Sequence, residues 1–154
     1  MSAETYIVRS AKLHDLPALS SLAFRSKASN GYDMAFMEAC RDELTCTAHS
    51  LAMGETWLLE LLSEPVGFFD IRLETDKAEV YAMYVEPDVR RSGIGQRLWA
   101  LLEQRARAMK AEAVMLDADP FAVAFYEAMG CEVIGEAASG SIPGRMLPRM
   151  RKWL

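Results

Sequence analysis

A chain of 154 residues with 51% hydrophobic content can bury one core and is short for two, so a single domain over residues 1–154 is expected. Its net charge of -5 excludes a nucleic-acid binder working through a broad basic surface, which needs many phosphate contacts. The N-terminus "MSAETYIVRS" lacks the basic-then-apolar pattern of a leader, and no stretch approaches the roughly 18 apolar residues of a membrane span, so a cytoplasmic protein without a membrane partner is expected.

In chain order, residues 5–10 read as a short strand. Residues 14–28 read as a helix with Leu16, Leu19, Leu22, Ala23 and Ser26 on one face and Asp15 as its N-cap. "SNGY" interrupts the pattern, and residues 33–44 form a second helix, with Met34, Met37, Cys40, Arg41 and Leu44 at helical spacing. Residues 56–62 and 66–74 read as a hairpin closed by Ser63, Glu64 and Pro65, and residues 77–87 extend it to a three-stranded meander.

In "VEPDVRRSGIGQRLWALLEQ", Arg90, Arg91, Ser92, Gly93 and Gly95 precede Ile94, Leu98, Leu101, Leu102, Ala106 and Met109, an amphipathic helical series. A helix N-terminus presents unpaired N–H groups and the positive end of the helix dipole; two arginines add charge, and glycines let a ligand approach the backbone. The stretch reads as an anion site for a pyrophosphate. Residues 113–119 then read as a strand. Residues 120–130 read as a helix capped by Asp119, started by Pro120 and ended by Gly130. Strands at 131–136 and 145–154 complete a mixed sheet covered by helices.

Cys40, Cys46 and Cys131 are odd in number and lack metal-ligand spacing, and His14 and His49 are isolated, so buried free thiols and no metal are expected. Trp57, Trp99 and Trp153 have no interleaved basic residues of the kind a nucleic-acid stacking platform carries.

The element order, with "RRSGIG" and "AFYEAMGCEVIGE", resembles the GNAT superfamily of acyl-CoA-dependent N-acyltransferases along nearly the whole chain. Its acyl-CoA signature is matched by Arg90, Gly93 and Gly95 between a strand and a helix. A dinucleotide-binding loop is the competing reading, but Leu98 stands where its third glycine belongs. The resemblance implies an α/β (α+β) fold with a mostly antiparallel sheet of about seven strands and about four helices on its two faces. It implies acetyl-CoA as acyl donor, with the pyrophosphate on the backbone of Arg90, Arg91, Ser92, Gly93, Ile94, Gly95 and Gln96. The pantetheine arm would lie along Met83, Tyr84 and Val85, whose backbone pairs with it like an added strand.

By the same resemblance Tyr126 is the general acid that protonates the leaving thiolate, and Asp119 and Ala122 are further cofactor contacts. Packing of the helix on the sheet is the alternative role of Tyr126. Glu79 matches the glutamate base of some members. Simple alternation would put Glu79, Tyr81, Met83 and Val85 on one face, and a solvated strand-end charge is the alternative for Glu79. Lys27, Tyr32, Phe36, Tyr81, Ser141 and Arg145 would line the acceptor site, where Lys27 and Arg145 either bind an acceptor carboxylate or are simply solvated. The implied reaction is direct attack of a primary amine on acetyl-CoA in a ternary complex. A small-molecule acceptor is favoured, with a protein N-terminus or lysine, or a non-catalytic acyl-CoA-binding module, as alternatives. Met146, Leu147, Met150, Trp153 and Leu154 suggest a homodimer, since one small core is not expected to cover all of them.

Overall fold

The computed structural model describes residues 5–88 and 93–154; Arg90, Arg91 and Ser92 lie outside the described residues. Seven strands form one sheet: β1 (Tyr6–Ser10), β2 (Glu55–Leu61), β3 (Glu64–Glu74), β4 (Lys77–Val85), β5 (Ala113–Asp117), β6 (Glu132–Ala138) and β7 (Met146–Trp153). Their spatial order is β1-β2-β3-β4-β5-β7-β6. All neighbours are antiparallel except β4 and β5, which run parallel because the chain crosses over between them through a helix. The helices are α1 (Leu16–Ala28), α2 (Met34–Leu44), α3 (Ala48–Met53), α4 (Ile94–Ala108) and α5 (Val123–Ala128). The expected mixed, mostly antiparallel seven-stranded sheet is present, with five helices among the described residues instead of four.

The additional helix is α3. Thr47 caps it by accepting from the Ser50 N–H at 3.1 Å. Gly54 ends it where a Cβ would stand 2.2 Å from the Ile71 carbonyl oxygen, so no larger residue fits between α3 and β3. The β2–β3 turn is also displaced from its expected place. Leu62 and Ser63 take positive φ as a two-residue hairpin turn, and Pro65 lies within β3 beside a bulge.

Two apolar layers cover the sheet. On one face α4 and α5 bury Ile94, Leu98, Trp99, Leu102, Ala106 and Tyr126 over Phe69, Ile71, Ala78, Val114, Leu116 and Met150. On the other, α1 and α2 bury Leu19, Leu22, Ala23, Met37, Cys40 and Leu44 over Leu58 and Phe68. Fully buried residues such as Leu98 and Leu102 contribute about 2 kcal/mol each relative to exposure. The α1 stripe matches its helical spacing, except that Leu16 is half-buried. In α2 the inward stripe narrows to Met37, Cys40 and Leu44, while Met34 and Arg41 point to solvent. Asp15 occupies the N-cap position of α1, but its carboxylate serves elsewhere: it accepts from the Lys12 N–H at 2.8 Å and from Arg9 at 2.7 and 2.8 Å. All three cysteines are free, Cys40 and Cys131 buried and Cys46 half-buried.

Candidate active site

The site begins where two parallel strands part. β4 and β5 pair from Lys77 with Ala113 to Val80 with Leu116, and there the pairing stops. β4 continues to Val85 and keeps its partners on the β3 side, from Asp70 with Ala82 to Gly67 with Val85. Between β4 and β5 the backbone of residues 81–85 is thus left without a strand partner, and an unpaired strand edge is a template for another extended chain. A cavity of about 540 Å³ fills the wedge, lined by residues 80–85 together with Gly93, Gly95, Gln96, Phe125 and Tyr126.

At one end of the cavity stands α4. Its first intrahelical bond runs from the Arg97 N–H to the Gly93 carbonyl at 3.1 Å, so the N–H groups of Ile94, Gly95 and Gln96 precede the helical ladder. Ile94 is fully buried in the apolar layer under α4, while Gly93, Gly95 and Gln96 line the cavity. The two glycines have different reasons. Gly93 caps the helix with φ +82°, a conformation side chains rarely adopt, and a Cβ there would meet nothing within 4 Å. Gly95 makes room for α5: a Cβ would stand 3.1 Å from the Phe125 ring. Gly93 is therefore required by its backbone conformation, with open space before it, whereas the reason for Gly95 is packing.

Tyr126 projects from α5 into the same cavity and packs its ring on Trp99 and Phe125, with centroids 5.8 and 5.3 Å away. Burial pushes the phenol's pKa well above its ordinary value, so it stays protonated at neutral pH. Both roles read from the sequence, packing and access to a ligand, are compatible with this placement.

Asp119 lines the cavity as well and joins four chain segments. It accepts from the Phe121 N–H at 2.9 Å, which is the expected cap, although the first turn it caps (Pro120–Ala122) is 3-10 rather than α. It also accepts from the Tyr32 hydroxyl at 2.9 Å and from Lys27 Nζ at 3.1 Å, with Arg145 Nη2 3.9 Å away. Arg145 donates to the Tyr32 hydroxyl at 2.7 Å, and Phe36 stacks on the Tyr32 ring at 4.0 Å. Burial alone would raise the Asp119 pKa; the bonds from Phe121, Lys27 and Tyr32 outweigh it and hold the carboxyl below its ordinary value. The structure therefore brings Lys27, Tyr32, Phe36 and Arg145 together, but Asp119 already engages both cations. Of these four, Lys27 lines the cavity, and the others stand behind it.

Glu79 is placed differently from the expectation. Val80 pairs with Ile71 and Ala82 with Asp70, so Tyr81 is an extra residue, a bulge, and the alternation breaks there. Ala78, Val80, Met83 and Val85 all pack on the α4 face. Glu79 therefore points from the opposite face, away from Met83 and Val85. It is absent from the cavity lining and is held in a two-pronged ion pair by Arg149, with Nη2 to Oε2 at 3.0 Å. A carboxylate clamped this way outside the cavity is not placed as a base.

The sequence reading missed Glu43. It projects from α2 to line the 540 Å³ cavity and also a smaller neighbouring one. It accepts a hydrogen bond from the Ser141 hydroxyl, and no cation pairs with it among the described residues. Ser141, expected to line the acceptor site, thus reaches it through Glu43. Tyr81 and Tyr84 line both cavities, and Ala122 lines the larger.

Comparison with known proteins agrees with this geometry. The model of the "Acetyltransferase (GNAT) family" matches residues 20–131. No curated protein matches the sequence. A GCN5-related N-acetyltransferase from Rhodopseudomonas palustris superposes with a TM-score of 0.82 at 25% identity, over 100% of this chain and 99% of that one. The PaiA N-acetyltransferase from Thermoplasma acidophilum, in complex with coenzyme A, gives 0.78 at 18% identity, over 97% and 99%. The ribosomal-protein-S18-alanine N-acetyltransferase from Escherichia coli gives 0.70 at 18%, over 96% and 92%. With its family match spanning 112 of 154 residues (20 to 131 inclusive) and its sheet parted between β4 and β5, the chain belongs to the GNAT acetyltransferase family.

Proposed function

We propose that this acyltransferase works in the cytoplasm and moves the acetyl group of acetyl-CoA onto a primary amine of a small molecule, by direct attack in a ternary complex. Acetyl-CoA, the acyl donor of the family, supplies an acetyl group activated as a thioester. The residues present fit it. The free backbone edge of residues 81–85 suits an extended amide-bearing arm, and the N–H groups of Ile94, Gly95 and Gln96 suit a pyrophosphate. Arg90, Arg91 and Ser92 belong to the same proposed pyrophosphate loop.

An ammonium has no lone pair, so the acceptor must lose a proton before its nitrogen attacks the carbonyl carbon. Glu43, free of a cation partner among the described residues and lining both cavities, takes that proton. As the C–N bond forms and the C–S bond breaks, the Tyr126 phenol gives its proton to the departing sulfur and the second nitrogen proton leaves to solvent; the phenolate then regains a proton from solvent and Glu43 releases its own, for a net release of one proton per turnover. The observation that carries the reading is the protonated Tyr126 facing the same cavity as the free edge of β4.

The test is steady release of free thiol from acetyl-CoA with two acceptor panels, small amines and peptides. Turnover confined to peptides would replace the small-molecule reading with a protein-acceptor one, and cofactor binding without turnover on either panel would leave a binding module. We also propose a homodimer through β6 and β7, where Val133, Met146 and Trp153 are exposed. Leu147 and Leu154 are half-buried there and Met150 is fully buried, so the apolar face is smaller than the sequence suggested. Light scattering showing monomer alone at micromolar concentration would remove the dimer.

A further inference from the structure

The smaller cavity, of about 290 Å³, shares the wall formed by Glu43, Tyr81, Ala82 and Tyr84 with the larger one. Its remaining walls come from the end of α2, from α3 and from the middle of β3, and include Asp42, Ser50, Asp70 and Arg72. Asp70 is 6% exposed, and its Oδ1 has no hydrogen-bond partner. A buried carboxylate oxygen left without a donor is costly and rare in folded proteins. The adjacent cation does not resolve it. Arg72 Nη2 stands 3.7 Å from Asp70 Oδ2, beyond hydrogen-bond length; its guanidinium lies over the Tyr81 ring at 3.8 Å and donates to Ser50 Oγ at 3.3 Å. Arg72 Nε is itself unpartnered, so the two residues do not close on each other as a finished ion pair. Three carboxylates, Asp42, Glu43 and Asp70, and one guanidinium, Arg72, thus line a cavity that adjoins the proposed base.

Resting on the acetyl-transfer reading above, we infer that the smaller cavity binds a distal ammonium group of the acceptor against Asp70, making the acceptor an aliphatic diamine. One amine reaches past Glu43 into the larger cavity for acylation while the other stays behind. The opposite polarity, an acceptor carboxylate on Lys27 or Arg145, has less to recommend it, because both cations already share Asp119.

The experiment compares diaminobutane, butylamine and aminobutyrate as acceptors at saturating acetyl-CoA, in the wild type and in Asp70→Asn. A charge-assisted hydrogen bond predicts that kcat/KM for the diamine exceeds that for butylamine by roughly 10- to 100-fold, mainly through KM. In Asp70→Asn that ratio should collapse to within about threefold, on the same scale. Equal use of diamine and monoamine by the wild type, preference for aminobutyrate, or a ratio unchanged in folded Asp70→Asn would each overturn the inference. If Asp70→Asn loses its cooperative thermal transition, Ser50→Leu, which narrows the same cavity from α3, carries the same expectation. If no amine is turned over although acetyl-CoA binds by calorimetry, the acetyl-transfer reading fails by itself. Titration of diaminobutane into the coenzyme A-loaded protein then decides the inference: heat in the wild type that is lost in Asp70→Asn supports it, and no heat in the wild type ends it.

Discussion

The two sides of the larger cavity are made of different material. The proposed donor side is main chain: the unpaired edge of residues 81–85 and the first N–H groups of α4. The opposite side is side chain. Lys27 from α1, Glu43 from α2 and Asp119 from the start of the last helical segment line it, bonded from behind by Tyr32 of the α1–α2 loop and by Arg145 and Ser141 of the β6–β7 connection. Recognition by backbone depends on topology and tolerates changes of side chain nearby. Recognition by clustered charges depends on each partner's identity, because removing one leaves the others unbalanced at partial burial. Substitutions on the two sides should therefore fail in different ways.

The largest expected effect sits where the two sides meet. Tyr126→Phe keeps the ring that packs on Trp99 and Phe125 and deletes the hydroxyl, so turnover should fall roughly 10²- to 10⁴-fold with acetyl-CoA affinity nearly intact. The loss should shrink with an acyl donor bearing a better leaving group. Wild-type turnover in a folded variant would reduce Tyr126 to packing.

Next is the pair of carboxylates. Glu43→Gln should lower turnover about 10²-fold at neutral pH, whereas Glu79→Gln should stay within about twofold. Glu79 serves Arg149 and lies outside the cavity, so the reverse ranking would return the base to Glu79.

On the side-chain wall, Asp119→Asn leaves Lys27 and Arg145 without their carboxylate and should cost about 2 kcal/mol, a Tm loss of about 5 °C for a chain of this length. The sign with pH follows from its lowered folded-state pKa. This contribution is fully present above the ordinary carboxyl value of 3.8 and is lost as pH falls through the folded value. Thermal melts from neutral to acid pH should therefore converge for wild type and Asp119→Asn; a gap that stays constant would assign the loss to packing.

The smallest effect belongs to the main-chain wall. Gly93→Val should weaken acetyl-CoA binding about 10-fold and cost about 1 kcal/mol of stability, because φ +82° strains a β-branched residue. Gly93→Asn, which tolerates that conformation, should recover most of the stability. Calorimetry and thermal unfolding on both variants separate strain from obstruction, and unchanged affinity in Gly93→Val would move the pyrophosphate elsewhere.

Local chain chemistry was enough to write the elements around the proposed donor side in advance. The amphipathic series from Ile94 to Ala106, the glycine before it, the Asp119 cap and the stop at Gly130 each depend on neighbours within a turn or two. The strands of the meander were equally legible from their composition, and Gly93, Gly95, Gln96 and Tyr126 arrived at one cavity. α3 was missed because "AHSLAM" buries no residue and so has no apolar stripe; its Thr47 cap was the available signal. Glu43 was missed because it sits on the polar face of α2, where a charge is normally just solvated. Where Glu79 points was decided by the bulge at Tyr81, a matter of register between β3 and β4. Where the β4–β5 pairing ends, and that Asp119 meets Lys27 and Arg145, are likewise set by contacts between residues far apart in sequence. The sequence by itself determined the elements and the backbone-built end of the site, because caps, glycines and periodicity act locally. Tertiary structure alone decided which charges meet, because strand register and helix docking fix which side chains from distant segments share a cavity.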